Sequence, residues 1–262
     1  MGRDLIIDAA SPYALDLFDP DRSHAQRLAA SLDRMGRLLR AAERTNAVLV
    51  HIGSSLTRDA RQGAPLRRKI IEHAHPYFRM KAELERMAVT AARRGQPVVV
   101  VRPSSLLGPG NLRPIHHCYV SAVLSGGMPA SFPDMINVLD VRDAAECTLR
   151  MVEAGWYGQP IQIAGHNITV HDLTDMIVEL GGVRRPPRWR GLYAGAAVLF
   201  AAEAALGATG LRSRYPSLPV LLTLASKSAD LAPLQRALGP ELRPLQQTVL
   251  DEISWHRDRG CP

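Results

Sequence analysis

Tyr77 and Lys81 stand four residues apart where Pro76 leads into a helix-compatible run, Lys81-Ala-Glu-Leu-Glu-Arg-Met-Ala-Val. That spacing puts both side chains on one helical face. A phenol with an ordinary pKa of about 10 is a poor acid or base at neutral pH, but an ammonium held close by favours the phenolate and lowers that pKa. A tyrosine tuned in this way relays protons. Hydroxyl groups flank the pair in the sequence. Ser54 and Ser55 end the apolar run Val48-Leu49-Val50-His51-Ile52-Gly53, and Ser104 and Ser105 follow a second run from Val98 to Val101 through Arg102 and Pro103. Taken alone, a Tyr-x-x-x-Lys pair is a common surface feature of helices, worth roughly a few tenths of a kcal/mol. The flanking segments give it chemical meaning.

The elements that must position these groups read as alternating strands and helices. Residues 4–11, Asp4 to Ser11, form a short apolar run with polar ends, the pattern of a parallel strand buried on both faces. Residues 22–44 read as a helix with Leu28, Leu32, Met35, Leu38, Leu39 and Ala42 on one stripe. A strand at 48–53 follows, so the unit is strand, helix, strand with a right-handed parallel crossover. The Arg-rich segment 56–74 reads as a loop before the Tyr77 helix, which ends near Gly95 and leads to a strand at 97–102. Further elements are a helix around 114–125, a segment 135–139, a helix 141–154, a strand 161–164 and a helix opened by Thr169 and Asp172. From Leu192 to Leu211 the chain is rich in alanine and carries Glu203 as its one charge. With that Glu mid-run, a packed helix is expected rather than a membrane span, and membrane contact is not expected.

The 262-residue chain has a net charge of +7 and a sequence pI near 9.8. Its arginines are scattered among acids except at Arg67-Arg68-Lys69 and at Arg184, Arg185, Arg188 and Arg190. No aromatic residues interleave the first cluster, so no nucleic-acid partner is expected. Lysine occurs at positions 69, 81 and 227 alone, and one of the three falls in the Tyr-Lys pair. Cys118, Cys147 and Cys261 lack metal or redox spacing, and their odd number argues against a disulfide framework. The N-terminus shows no basic region followed by an apolar stretch and a cleavage site, so a cytoplasmic protein with reduced thiols is expected. His73 and His75, and the run His116-His117-Cys118, invite a metal reading, but adjacent histidines rarely bind one ion, and no metal site is expected.

The order strand-Ser-Ser, Pro-Tyr-x-x-x-Lys-x-x-x-Glu, strand-Arg-Pro-x-x-x-x-Gly-Pro-Gly resembles the extended short-chain dehydrogenase/reductases, in particular their NAD-dependent epimerase/dehydratase and dihydroflavonol-reductase-like branch. The resemblance runs from about residue 3 to the C-terminus. It implies an α/β fold with a partial Rossmann-like parallel sheet: an incomplete NAD(P)-binding core with interspersed substrate-lobe segments over residues 1–183, and a mainly helical substrate lobe over 184–262. It also implies NAD or NADP as cofactor and a small-molecule substrate, either a sugar nucleotide or an apolar alcohol or ketone. By position, Tyr77 would be the acid/base, Lys81 would tune it and hold the nicotinamide ribose, and Ser55 would polarise the substrate oxygen. Ser54 is the fallback for Ser55, and Thr57 a supporting hydroxyl. Ala9 and Ala10 would let the cofactor approach the backbone, and Pro103, Ser104 and Ser105 would line the nicotinamide side. Ser31 stands where relatives usually carry an asparagine that braces the lysine. Asp143 is expected to anchor a turn, and a face around the Tyr77 helix would suit a homodimer.

One part of the pattern is missing. A dinucleotide fold seats the pyrophosphate on a Gly-rich turn after its first strand, and no Gly-x-Gly-x-x-Gly-like turn opens this sequence. By resemblance, residues 4–11 match the family's fourth strand. The expectation is therefore a truncated chain, begun too late or completed by another polypeptide, that binds dinucleotide poorly. Its first strand would be an edge lacking partners for its amides and both its apolar faces. The alternative expectation is a non-catalytic binding or scaffold relic of a reductase.

Overall fold

The computed structural model describes residues 4–9, 24–55, 76–111, 119–211 and 241–259. Thr57, Ala10, the loop at 56–74, the four histidines at 73, 75, 116 and 117, and Cys118 and Cys261 lie outside these residues. Strands β1 (Leu5–Asp8), β2 (Val48–Ile52), β3 (Val98–Pro103) and β6 (Pro160–Ile163) form a parallel sheet in the order β1-β2-β3-β6. The central two are mostly apolar, apart from His51 and Arg102, because helices cover both of their faces. On one face lie α1 (His24–Thr45) and α2 (Pro76–Arg93), whose Met35, Met80, Leu84 and Ala88 meet Leu49, Val98 and Val100. On the other, α4 (Val141–Glu153) sets Ala144, Cys147 and Met151 against Val48, Val50, Val99 and Val101.

The edge strand corrects two expectations. The described part of the run 4–11 is not a strand buried on both faces: β1 spans four residues, and Leu5 and Ile7 are 38% and 53% exposed. Nor do both faces lack partners. Ile6 packs into the α1–α2 core and Asp8 is buried. The side chains alternate, so the helix-covered face is filled while the other stays open.

A second sheet, β4 (Ser105–Leu107), β5 (Met135–Asp140) and β7 (His166–Thr169), has parallel and antiparallel pairings. With α3 (Tyr119–Leu124), α5 (Val170–Gly181) and α7 (Leu245–Asp258) it encloses a core around Ile136, Val138, Leu173, Ile177, Val249 and Ile253. Thr169 caps α5, accepting from the Asp172 N–H at 3.0 Å, as its sequence signature requires. Asp143 accepts from the Arg243 backbone N–H at 2.8 Å and pairs with its guanidinium, and so ties α4 to the start of α7. Helix α6 (Leu192–Ala208) turns Glu203 inward and leaves Val198 exposed. No described helix is long and apolar enough to cross a membrane.

Candidate active site

The parallel sheet gathers most of the candidate residues at the carboxyl ends of its strands, the edge where open α/β sheets bind ligands. Ala9 follows β1, Ser54 and Ser55 follow β2, and Pro103, Ser104 and Ser105 run from β3 into β4. Tyr77 and Lys81 occupy the first turns of α2, which enters from the same end because it returns the chain to the start of β3. Lys81 is 9% exposed, and Tyr77 is half-buried, its ring edge-on to Phe78 with centroids 5.5 Å apart. Ser54 is buried and Ser55 half-buried. Ser31 is buried on α1 with its hydroxyl 3.4 Å from the Met80 sulfur, beside Lys81 in sequence.

An ion pair joins three of these segments. Arg102, at the end of β3, donates from Nε to Glu85 Oε2 at 2.8 Å and from Nη2 to Oε1, a bidentate fork with both side chains largely buried. Glu85 lies on α2 one turn beyond Lys81 and two beyond Tyr77. Gly53 completes the contact. A Cβ there would stand 3.3 Å from Glu85 Oε2 and 3.4 Å from the Val101 carbonyl. Its own N–H donates to that carbonyl at 2.7 Å, immediately before Ser54. Sequence reasoning quoted Glu85 and Arg102 as pattern residues without giving them a role. The available signal was an acid on the Tyr77–Lys81 stripe and a single arginine closing a run of four valines.

A second buried cluster had no sequence signal. Asp8 of β1 and His51 of β2 are register partners, with His51 Nδ1 3.0 Å from Asp8 Oδ2 and Arg34 of α1 bonding the other oxygen. Nothing in either strand's sequence pairs these two residues before the register is known.

Whether the residues suit a dinucleotide can be judged from Ser104. Its Oγ is buried with no hydrogen-bond partner among the described residues, at the strand end where the nicotinamide side would lie. A buried orphan hydroxyl is uncommon and suits a polar ligand group. The nicotinamide side therefore fits. No group of three or more metal-ligating side chains occurs among the described residues.

An α/β protein with a Rossmann-like parallel sheet and a polar cluster at its carboxyl edge is the class these observations define. The chain belongs to the NAD dependent epimerase/dehydratase family, whose model matches residues 14–164. It is 26% identical over 192 residues to a putative dihydroflavonol 4-reductase of Synechocystis sp., covering 70% of this chain and 55% of that protein. It is also 26% identical over 190 residues to sterol demethylase protein B of Methylococcus capsulatus, covering 70% and 57%. The chain thus spans about half the length of the curated relatives it matches. A nucleoside-diphosphate-sugar epimerase from Pseudomonas aeruginosa shares its fold with a TM-score of 0.70 at 23% identity, over 89% of this chain and 74% of that one. The Bordetella bronchiseptica enzyme WbmH, solved in complex with NAD+, does so with a TM-score of 0.67 at 17% identity, over 98% and 76%.

Proposed function

We propose that this chain carries the acid/base residues of an NAD(P)-dependent oxidoreductase of the epimerase/dehydratase type. It acts at a hydroxyl- or carbonyl-bearing carbon of a sugar nucleotide or of an apolar alcohol or ketone. Ser55 Oγ donates a hydrogen bond to the substrate oxygen and orients it. Tyr77 Oη takes or returns the proton of that oxygen, and the Lys81 ammonium holds the phenol's pKa down so that this transfer runs near neutrality. Pro103, Ser104 and Ser105 line the nicotinamide side, and Ala9 leaves room for the ribose. When bound, the nicotinamide supplies or accepts the hydride. The described residues from Arg184 onward contribute to the substrate lobe. The observation that carries this reading is the placement of the Tyr-Lys turn, the serine pair and Pro103–Ser105 at one edge of one parallel sheet.

A second reading, a binding or scaffold protein without catalysis, draws support from Ser31, which stands where the family usually carries the asparagine that braces the lysine. The phenol is the group that discriminates between the two readings. In a chain labelled at tyrosine 13Cζ, with the Tyr77 signal assigned by Tyr77→Phe, the oxidoreductase reading expects Tyr77 to ionise at least about one unit below the ordinary value near 10. Lys81→Met should return it to that value. Ionisation near 10 in the unmodified chain overturns the reading in favour of the scaffold.

A further inference from the structure

We infer that the Glu85–Arg102 pair, seated against Gly53, is a positioning clamp that fixes the Tyr77–Lys81 turn relative to the serine-bearing end of β2. The inference rests on the proposed function and adds residues that touch neither substrate nor cofactor. Three observations carry it. The pair joins the two elements that bear the candidates, α2 and β3, through a bidentate fork whose geometry admits one relative placement. Both side chains are largely withdrawn from water, with 13% and 9% of their surfaces exposed, so neither rearranges freely. The third element, β2, meets the pair at Gly53, where even a methyl group would press on the carboxylate, and the next two residues are Ser54 and Ser55. An arginine already locked to Glu85 stops that carboxylate from yielding.

The expected direction separates positioning from simple electrostatics. Glu85 lies eight residues from Tyr77, roughly 12 Å along the helix axis. Removing its negative charge would, by Coulomb's law alone, make the Tyr77 phenolate slightly easier to form. Loss of a clamp does the opposite, because Lys81 and Tyr77 lose their fixed arrangement in the site and the phenol drifts back toward its ordinary pKa.

The test follows the 13Cζ titration of Tyr77 in the full chain carrying Glu85→Gln, Arg102→Lys or Gly53→Ala. Far-ultraviolet circular dichroism and urea midpoints establish that each variant is folded at the titration temperature. Arg102→Lys conserves charge and removes the planar fork. The clamp expects all three to raise the Tyr77 pKa by at least about half a unit. Should Glu85→Gln or Gly53→Ala fail to fold, Arg102→Lys alone decides. An unchanged Tyr77 pKa in folded Arg102→Lys, or a downward shift in folded Glu85→Gln, overturns the inference. An ordinary pKa near 10 in the unmodified chain overturns the proposed function instead, so the two failures are distinguishable.

Discussion

His51 Nδ1 lies 3.0 Å from Asp8 Oδ2, a side-chain contact between register partners on two neighbouring parallel strands. Neither side chain is exposed, and Arg34 bonds the other carboxylate oxygen. An ionised carboxylate only accepts, so the imidazole carries its proton on Nδ1. The couple holds the edge strand by more than its backbone ladder.

Burial by itself would raise the Asp8 pKa, but the hydrogen bonds from His51 and Arg34 outweigh it and hold the carboxyl below its ordinary value. A depressed folded-state pKa contributes stability that is complete above the unfolded value near 3.8 and is lost as pH falls through the lower folded value. Asp8→Asn is therefore expected to cost about 3 kcal/mol near neutral pH. The gap in urea midpoint between variant and parent should narrow as pH drops below that range. A gap of constant size from neutral to strongly acid pH would show that the charge is not the source.

Arg102→Met and Glu85→Gln should each destabilise the chain by about 3 kcal/mol, because each leaves one largely buried charge without its partner. The double variant removes both charges. Its cost in urea denaturation is expected to fall well short of the sum of the single costs; strict additivity would mean the two groups stabilise the chain separately.

Thr248 of α7 donates to Asp140 at 2.8 Å, with both residues buried. Asp140 also caps α4 through the Arg142 N–H and pairs with the Arg142 guanidinium. Thr248→Val keeps the shape and deletes one hydrogen bond to a charged group, so the expected loss is about 1.5 kcal/mol. Thermal melts of parent and variant measure it, and an unchanged melting temperature would show that the bond contributes nothing net.

Cys147 is a buried free thiol, and burial pushes its pKa up, with the negative charge of Asp143 adding to the effect. Thiolate is the reactive form. In native chain at mildly alkaline pH, Cys147 should label with iodoacetamide at least about tenfold more slowly than in urea-unfolded chain, as read by peptide mass spectrometry. Equal rates would mean that the α4 side of the sheet opens freely.

The parallel sheet was legible in the sequence because β2 and β3 are mostly apolar, with His51 and Arg102 as their ionisable residues, and α1, α2, α4 and α5 followed from stripes and a Thr-capped start. Strands β4 and β7 were not. Ser105–Leu107 and His166–Thr169 are short and carry no alternation of their own, and both acquire strand geometry only by pairing with β5. The site divides in the same way. Tyr77, Lys81 and the serines lie in local patterns, whereas the hydrogen bonds Glu85 makes to Arg102 and the contact of His51 with Asp8 depend on tertiary register. The orphan hydroxyl of Ser104 depends on what fails to surround it, which no spacing rule can express.

Glu252, fully buried on α7, accepts from the Gly108 N–H at 2.7 Å across 144 residues of chain. During synthesis at about 10 residues per second, that carboxylate is added to the growing polypeptide some 14 seconds after the amide it will hold. The loop leading out of Pro103–Ser105 must wait that long for its fastening. A ribosome-bound nascent chain stalled before α7 would carry strands β1, β2, β3 and β6 and an unsecured Gly-Pro-Gly bend, open to chaperones or proteases for that whole interval.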